Sequence, residues 1–246
     1  EAGCLTLDGA FRVQAAGVDV RLIAVLDTSD GADAVVSAPG AKLARPADLR
    51  GKRVAVERYG VGMLFFCRAL QSAGLTVRDV HVVNADLPQF ERLFSTGRVD
   101  AAVTYSPQKE RLVAAGGRVL CDSAAFPSKV TDVLVVRADA IRNNPHAARA
   151  LARGWAQAAD RLAADPSRRG AVARAMGIAL SEVDTGYEQL RVPTSAESRA
   201  LVAQERPEFL TTVRETAEAL AAFGLIDERV DPARLFLTPA EMDTLR

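Results

Sequence analysis

Three segments of the chain combine residue types that could hold a small polar ligand. In Asp48-Leu-Arg-Gly-Lys-Arg-Val-Ala-Val-Glu-Arg-Tyr-Gly-Val-Gly-Met-Leu64 an apolar run, Arg53 to Glu57, leads into Tyr59, Gly60, Val61 and Gly62 and then at once into a helical pattern. Glycines let backbone approach a ligand, and the unpaired N–H groups of a first helical turn attract anions. No Gly-Lys-Ser/Thr follows, and the third glycine of Gly-x-Gly-x-x-Gly is missing, so neither phosphate-loop fingerprint applies. Ligand contact and a tight turn for close strand–helix packing both fit.

The second segment is Val99-Asp-Ala-Ala-Val-Thr-Tyr-Ser-Pro-Gln108. Tyr105 ends a buried run and Pro107 opens a helix, which stands the phenol at the mouth of a sheet, to stack on a ligand or to pack the strand end. The third is a pair of acidic segments, Asp27-Thr-Ser-Asp-Gly-Ala-Asp33 and Thr131-Asp132, each just before an apolar run. Their side chains could pair with a cationic or hydroxylated ligand group, or could fix a hinge by bonding backbone amides.

Other chemistries find little support. The only histidines, His81 and His146, occupy unrelated positions, which excludes a histidine metal cluster and offers no base for a Ser or Cys nucleophile. Glu57, Glu91 and Glu110 form no paired-carboxylate motif, and the stripe Met63, Leu64, Phe65, Phe66, Leu70 reads as a core-facing helix. Cys4, Cys67 and Cys121 lie far apart in apolar runs, a pattern of small buried residues rather than of disulfides or a thiol metal site. No cofactor is expected. Lys+Arg and Asp+Glu balance at 31 each, which removes the charge excess that nucleic-acid binding needs. With 246 residues, 49% of them hydrophobic, the chain can bury a large core as one big domain or two small ones, and no apolar run is long enough to span a bilayer.

The elements that position these segments follow from patterning. Apolar runs at Gly3 to Leu7, Arg21 to Leu26, Ala34 to Ser37, Arg53 to Glu57, Val80 to Asn84, Ala101 to Thr104, Val119 to Cys121 and Asp132 to Val136 read as strands covered on both faces. Helical patterns at Gly9 to Ala16, Gly62 to Ala73, Leu87 to Thr96 and Pro107 to Ala114 alternate with them, which predicts an α/β protein of parallel βαβ units. From Ala138 only helices follow. The longest opens at Asn144-Pro145, closes at Asp165-Pro166 and is expected to bury Leu151, Trp155, Ala158 and Leu162 on one face.

The first part contains an internal echo. Residues 2–36 and 100–135 each read as a strand ending in polar residues, a helix, a Gly turn, a strand ending in Asp/Ser and a final apolar strand. The echo predicts two similarly built lobes presenting polar strand ends, where open α/β sheets bind ligands, and it matches Thr6 and Asp8 to the place of Tyr105. The second copy is preceded by a βαβ unit at Arg50 to Arg98 and the first by nothing, so the first lobe is expected to lack its leading unit. Ala-Gly-Cys at 2–4 could end a lipoprotein cleavage site, but a strand is the preferred reading because the apolar stretch such a site requires is absent before it.

These residues resemble a known family. Residues 48–57, 99–107 and 132–139, continued by Asn144-Pro145, Gly154-Trp155 and Asp165-Pro166, are similar to the extracytoplasmic substrate-binding proteins of ABC importers for nitrate, sulfonate, taurine and pyrimidine precursors. The resemblance implies a two-lobed type II periplasmic-binding fold closing on a small molecule or anion, with lobe I at 1–33 plus 132–246 and lobe II at 34–131. It carries ligand contact onto Thr6, Asp8, Asp27, Ser29, Gly31, Tyr59, Gly60, Val61, Tyr105 and Asp132. Many relatives read Trp-Glu-Pro where this chain has Tyr105-Ser106-Pro107, which leaves the ligand class open. The implied partners are a membrane permease and a small ligand, in the periplasm or outside the cytoplasm, with a dimer possible to complete the first lobe and weak binding by the chain alone. The alternatives are an enzyme on the same fold, of pyrimidine-precursor or menaquinone-pathway type, and a ligand-sensing domain.

Overall fold

The computed structural model describes residues 1–58, 60, 62–126, 130–227 and 229–245, so the candidate residues Tyr59 and Val61 lie outside the described residues. Strand β1 (Ala2–Thr6) passes without a loop into helix α1 (Leu7–Ala15), because Thr6 ends the strand extended and its hydroxyl accepts the Gly9 N–H at 3.2 Å as N-cap. There follow β2 (Val20–Ser29), β3 (Asp33–Ser37), β4 (Arg53–Val56), α2 (Gly62–Ser72), β5 (His81–Asn84), α3 (Phe90–Ser95), β6 (Ala101–Tyr105), α4 (Gln108–Ala114), β7 (Arg118–Asp122) and β8 (Thr131–Arg137). The remainder is α5 (Ala138–Asn143), α6 (Pro145–Ala164), α7 (Arg169–Met176), α8 (Leu180–Glu188), the two-residue β9 (Leu190–Arg191), α9 (Ser195–Val202), α10 (Pro207–Ala222) and α11 (Pro239–Leu245). The expected alternation is present, and no described helix is long and apolar enough to cross a membrane.

The chain divides into two compact units, Glu1–Thr28 with Val130–Leu180 and Arg191–Arg246, and Ser29–Lys129 with Ser181–Leu190. These boundaries differ from the expected 1–33 plus 132–246 and 34–131, chiefly because Ser181–Leu190 groups with the second unit.

The sheet of the first unit has the order β1-β8-β2, with β9 at its edge, and β8 is antiparallel to both neighbours. Strands β1 and β2, joined by α1, are therefore parallel to each other as the βαβ reading expects, with the antiparallel β8 between them. The strand enters from the other unit rather than through a crossover helix, so the crossover rule does not set its direction. In β2 the pairing skips Ile23 and Leu26, two bulges in the strand. Phe11, Leu22, Ile141, Leu220 and Leu235 fill the core. As an edge strand β1 is only partly covered, which overturns the burial expected for Cys4: its thiol is exposed, Cys67 is buried and Cys121 half-buried, and all three are free. Helix α6 is also turned from the expected face. Leu151 and Ala158 are exposed, Trp155 and Leu162 are half-buried, and the fully buried positions are Ala148 and Ala159.

The sheet of the second unit has the order β5-β4-β6-β3-β7. Strands β4, β5 and β6 are parallel as expected, so their C-terminal ends share one edge, whereas β3 runs antiparallel to both β6 and β7. Every residue of β3 is buried. The α2 stripe from Met63 to Leu70 forms core as read, with Phe66 and Leu70 fully buried. Gly62 is there for packing, since a Cβ at this position would stand 2.9 Å from Val103 Cγ1.

Candidate functional site

In the first unit the sheet register gathers residues that the sequence scatters. Thr6 on β1 lies opposite Asp132 on β8, and Asp132 lies opposite Asp27 on β2, so the three form one row across adjacent strands. One step along, Thr28 faces Thr131 with hydroxyls 3.4 Å apart. Cross-strand neighbours have Cβ atoms about 5 Å apart, and like charges so placed repel unless a cation or proton lies near them. The row therefore offers two half-exposed carboxylates with hydroxyls beside them. Asp8, in the first turn of α1, is buried and lies 3.6 Å from the Arg12 guanidinium, an internal cation that a ligand would have to displace or share. The i,i+4 spacing of Asp8 and Arg12 on α1 is the signal that points to Arg12, whose Nε and Nη2 are buried and donate no hydrogen bond.

In the second unit Ser29 and Gly31 meet at Ser123. The two serine hydroxyls are 2.7 Å apart, the Gly31 N–H donates to Ser123 Oγ at 2.7 Å, and the Asp33 N–H donates to Ser29 Oγ at 3.1 Å. Gly31 has φ +110°, which a side chain would strain, so its glycine is a backbone requirement. Ser29 is buried, and its bonds to Ser123 and Asp33 hold the turn between β2 and β3. Gly60 follows β4 in a turn closed by its own N–H on Glu57 O at 2.9 Å. The turn is tied to the end of β5, where Asn84 Oδ1 accepts the Arg58 N–H and Glu57 Oε1 accepts the Leu87 N–H. Tyr105 stands half-buried at the end of β6, opposite Asp33.

A polar network beside Gly31 escaped the sequence reading. Lys109, in the first turn of α4, donates from Nζ to Gly31 O at 2.6 Å and to Gln189 Oε1, and lies 3.4 Å from Glu110. Gln189 donates to Glu110 at 2.9 Å, the single Ser106 hydroxyl hydrogen is shared between Glu110 Oε1 at 2.9 Å and Gln189 Oε1 at 3.0 Å, and the Asp30 N–H donates to Gln189 O at 2.7 Å. Gln189 lies 80 residues beyond Lys109, which is why no local pattern pointed to the pair. Burial alone would raise the Glu110 pKa, but the donors Gln189 and Ser106 and the Lys109 ammonium outweigh it and hold the carboxyl below its ordinary 4.5. A depressed folded value means stability that is present above pH 4.5 and lost as pH falls through the folded pKa. Urea titrations of the wild type and Glu110→Gln should therefore differ at neutral pH and converge in acid; parallel curves down the whole acid limb would show that Glu110 is not linked to folding.

The histidines take no part in these groupings, for His81 and His146 are both exposed. Burial pushes the Cys121 thiol up to about 12, so at neutral pH it carries no thiolate. Among the described residues no group of His, Cys, Asp and Glu is arranged to hold a metal ion.

Comparison with known proteins fits this geometry. The chain is 24% identical over 233 residues to a putative aliphatic sulfonates-binding protein of Escherichia coli (strain K12), covering 94% of this chain and 70% of that protein. The periplasmic aliphatic sulphonate binding protein SsuA of Escherichia coli superposes with a TM-score of 0.77 at 18% identity, over 98% of this chain and 81% of that one. The desulfurization enzyme DSZB has the same fold, with a TM-score of 0.72 at 16% identity over 99% and 84% of the two chains. The model of the family described as NMT1/THI5 like matches residues 7–169, most of the chain. The two α/β units with polar strand ends are thus those of a member of the NMT1/THI5-like family, to which this chain belongs.

Proposed function

We propose that the chain is the solute-binding component of an ABC importer, working in the periplasm or elsewhere outside the cytoplasm, and that its ligand is an aliphatic sulfonate bearing an amino group. The observation that carries this reading is the row Thr6, Asp132, Asp27 in register on three adjacent strands. A purely anionic ligand would meet two carboxylates there, whereas an ammonium group would donate its N–H hydrogens to them. The sulfonate part is supported by the sulfonate-binding relative. A binding protein rather than an enzyme is supported by the sulfonate-binding relative, with the exposed histidines and the unionised Cys121 outside the acidic row. A membrane permease is the partner this role requires.

Thermal melts with 2-aminoethanesulfonate and ethanesulfonate test the reading. At 100 times its Kd a ligand adds about 2.7 kcal/mol to stability, an unmistakable shift. The amino compound should bind at least about tenfold more tightly than its amine-free counterpart, the worth of one charge-assisted hydrogen bond, and Asp132→Asn should remove most of that ratio. Absence of stabilisation by either sulfonate sinks the ligand class; equal affinities sink the role given to the acidic row. Release of sulfite from a bound sulfonate would establish an enzyme instead.

A further inference from the structure

The first unit contains a cavity of about 460 Å³ to which none of the candidate residues contributes. It is walled by α6, α9 and α11 over Ile23 and Ala24 of β2. The space exists because α6 turns Ala152 and Ala156 towards the strand, and these side chains are too small to fill the volume.

Two features mark it as more than loose packing. First, the Nε1–H of Trp155, which lines the cavity, is buried and has no hydrogen-bond partner. A buried donor left unmatched costs roughly 1–3 kcal/mol, so an acceptor arriving there is favoured. Second, the polar lining is one-sided. Arg199 on α9 and Arg153 on α6 supply guanidinium groups and no carboxylate lines the cavity, the nearby Asp160 being held by the Ser195 hydroxyl and N–H with Arg199 close to it. The Ser198 hydroxyl is already spent, for it accepts the Val25 N–H at 3.0 Å and donates to Val25 O at 3.1 Å, capping the β2 backbone. What enters must bring an apolar body and a head that accepts hydrogen bonds. The size falls within the range of small-molecule pockets, which are mostly apolar with a few convergent polar groups.

We propose that this cavity is a second binding site, for an amphipathic anion: an aliphatic chain among Ile23, Ala152, Ala156 and Met242, with a carboxylate or sulfonate head at the Trp155 indole and the Arg199 guanidinium. It is separate from the strand-end groups and stands or falls independently of the ligand assigned to them.

Trp155 is the chain's single tryptophan, so its emission reports on this cavity alone. Titration with sodium decanoate or decanesulfonate should shift that emission saturably, and the stronger of the two identifies the head group. Decanol should bind at least tenfold more weakly, and decyltrimethylammonium should produce no saturable change. Arg199→Gln, at an exposed position, should weaken decanoate about tenfold. Ala156→Phe should abolish the response by filling the space, while leaving any response to 2-aminoethanesulfonate intact. No saturable shift with either anion, an equal response to the cation, or decanoate binding unchanged in Arg199→Gln would overturn the proposal. The arginine variant decides the matter even if the phenylalanine variant fails to fold.

Discussion

Replacing Lys109 by methionine is expected to destabilise the second unit by about 3 kcal/mol, the cost of leaving buried partners of a charge uncompensated. The Lys109 side chain is only 11% exposed, so water cannot take its place. Its removal leaves Gly31 O without its donor, Gln189 Oε1 with only the Ser106 hydroxyl, and Glu110 without its cation, though Gln189 still donates to that carboxylate. Glu110 is 30% exposed, so its share of the loss is discounted for screening and most of the effect comes from the orphaned Gly31 O and the weakened bonding of Gln189. Methionine keeps the length and the apolar stem, so the loss reads the charge and its hydrogen bonds rather than a cavity. A double-mutant cycle with Gln189→Ala should return a coupling of roughly 1–2 kcal/mol. The same variants should speed amide exchange across 181–190. That segment is held by Gln189 and by the Arg111–Glu182 pair at 2.8 Å, an exposed contact of small worth. An unchanged urea midpoint in Lys109→Met would refute the account.

Gly117→Ala is expected to cost the second unit about 3 kcal/mol or more, by overpacking against atoms that cannot retreat. A Cβ there would lie 2.7 Å from Leu112 O, 2.8 Å from Val36 Cγ1 and 3.0 Å from Ser37 O. Two of those atoms are backbone. Leu112 O is also the acceptor of the Gly117 N–H at 2.9 Å, and Ser37 belongs to β3, which is hydrogen-bonded on both sides. Relief therefore means breaking either the turn after α4 or the sheet. Gly154→Ala is the contrasting case: it lies inside α6 with nothing within 4 Å of its Cβ, and alanine there should stabilise by about 0.5–1 kcal/mol. Chemical denaturation of both variants checks the pair, and a Gly117→Ala protein as stable as wild type would contradict the crowding.

The reading of individual residues divides along physical lines. Gly62 was open between ligand contact and packing, and a distance of 2.9 Å to Val103 settles its packing role. That distance joins two elements far apart in the chain, so no inspection of the Tyr59 to Leu64 segment could supply it. Ser29 likewise bonds Ser123, 94 residues away, and accepts the Asp33 N–H, contacts that hold the turn. Leu151 failed as a core residue because a long helix can bury any of several stripes. Ala148 and Ala159 sit on the stripe that packing selected. Cys4 failed because an apolar run does not reveal whether it becomes a central strand or an edge.

Periodicity, turn residues and caps were enough to locate nearly every strand and helix, to separate the α/β part from the helical part, and to mark Thr6, Asp27, Tyr105 and Asp132 as strand-end residues. Those properties depend on neighbours a few positions away, and such interactions are written in the sequence directly. Only the tertiary structure decided the antiparallel course of β3 and β8, the row of Thr6, Asp132 and Asp27, and the Lys109–Gln189 network. The cavity under α6 and α9 belongs with them. Each joins segments that meet only after the chain has folded, as Val25 and Ser198 do across 173 residues. Strand direction, register and side-chain partnership at that separation are set by which packing excludes the most water and leaves the fewest buried polar atoms unmatched, a comparison between whole folds that no local pattern encodes.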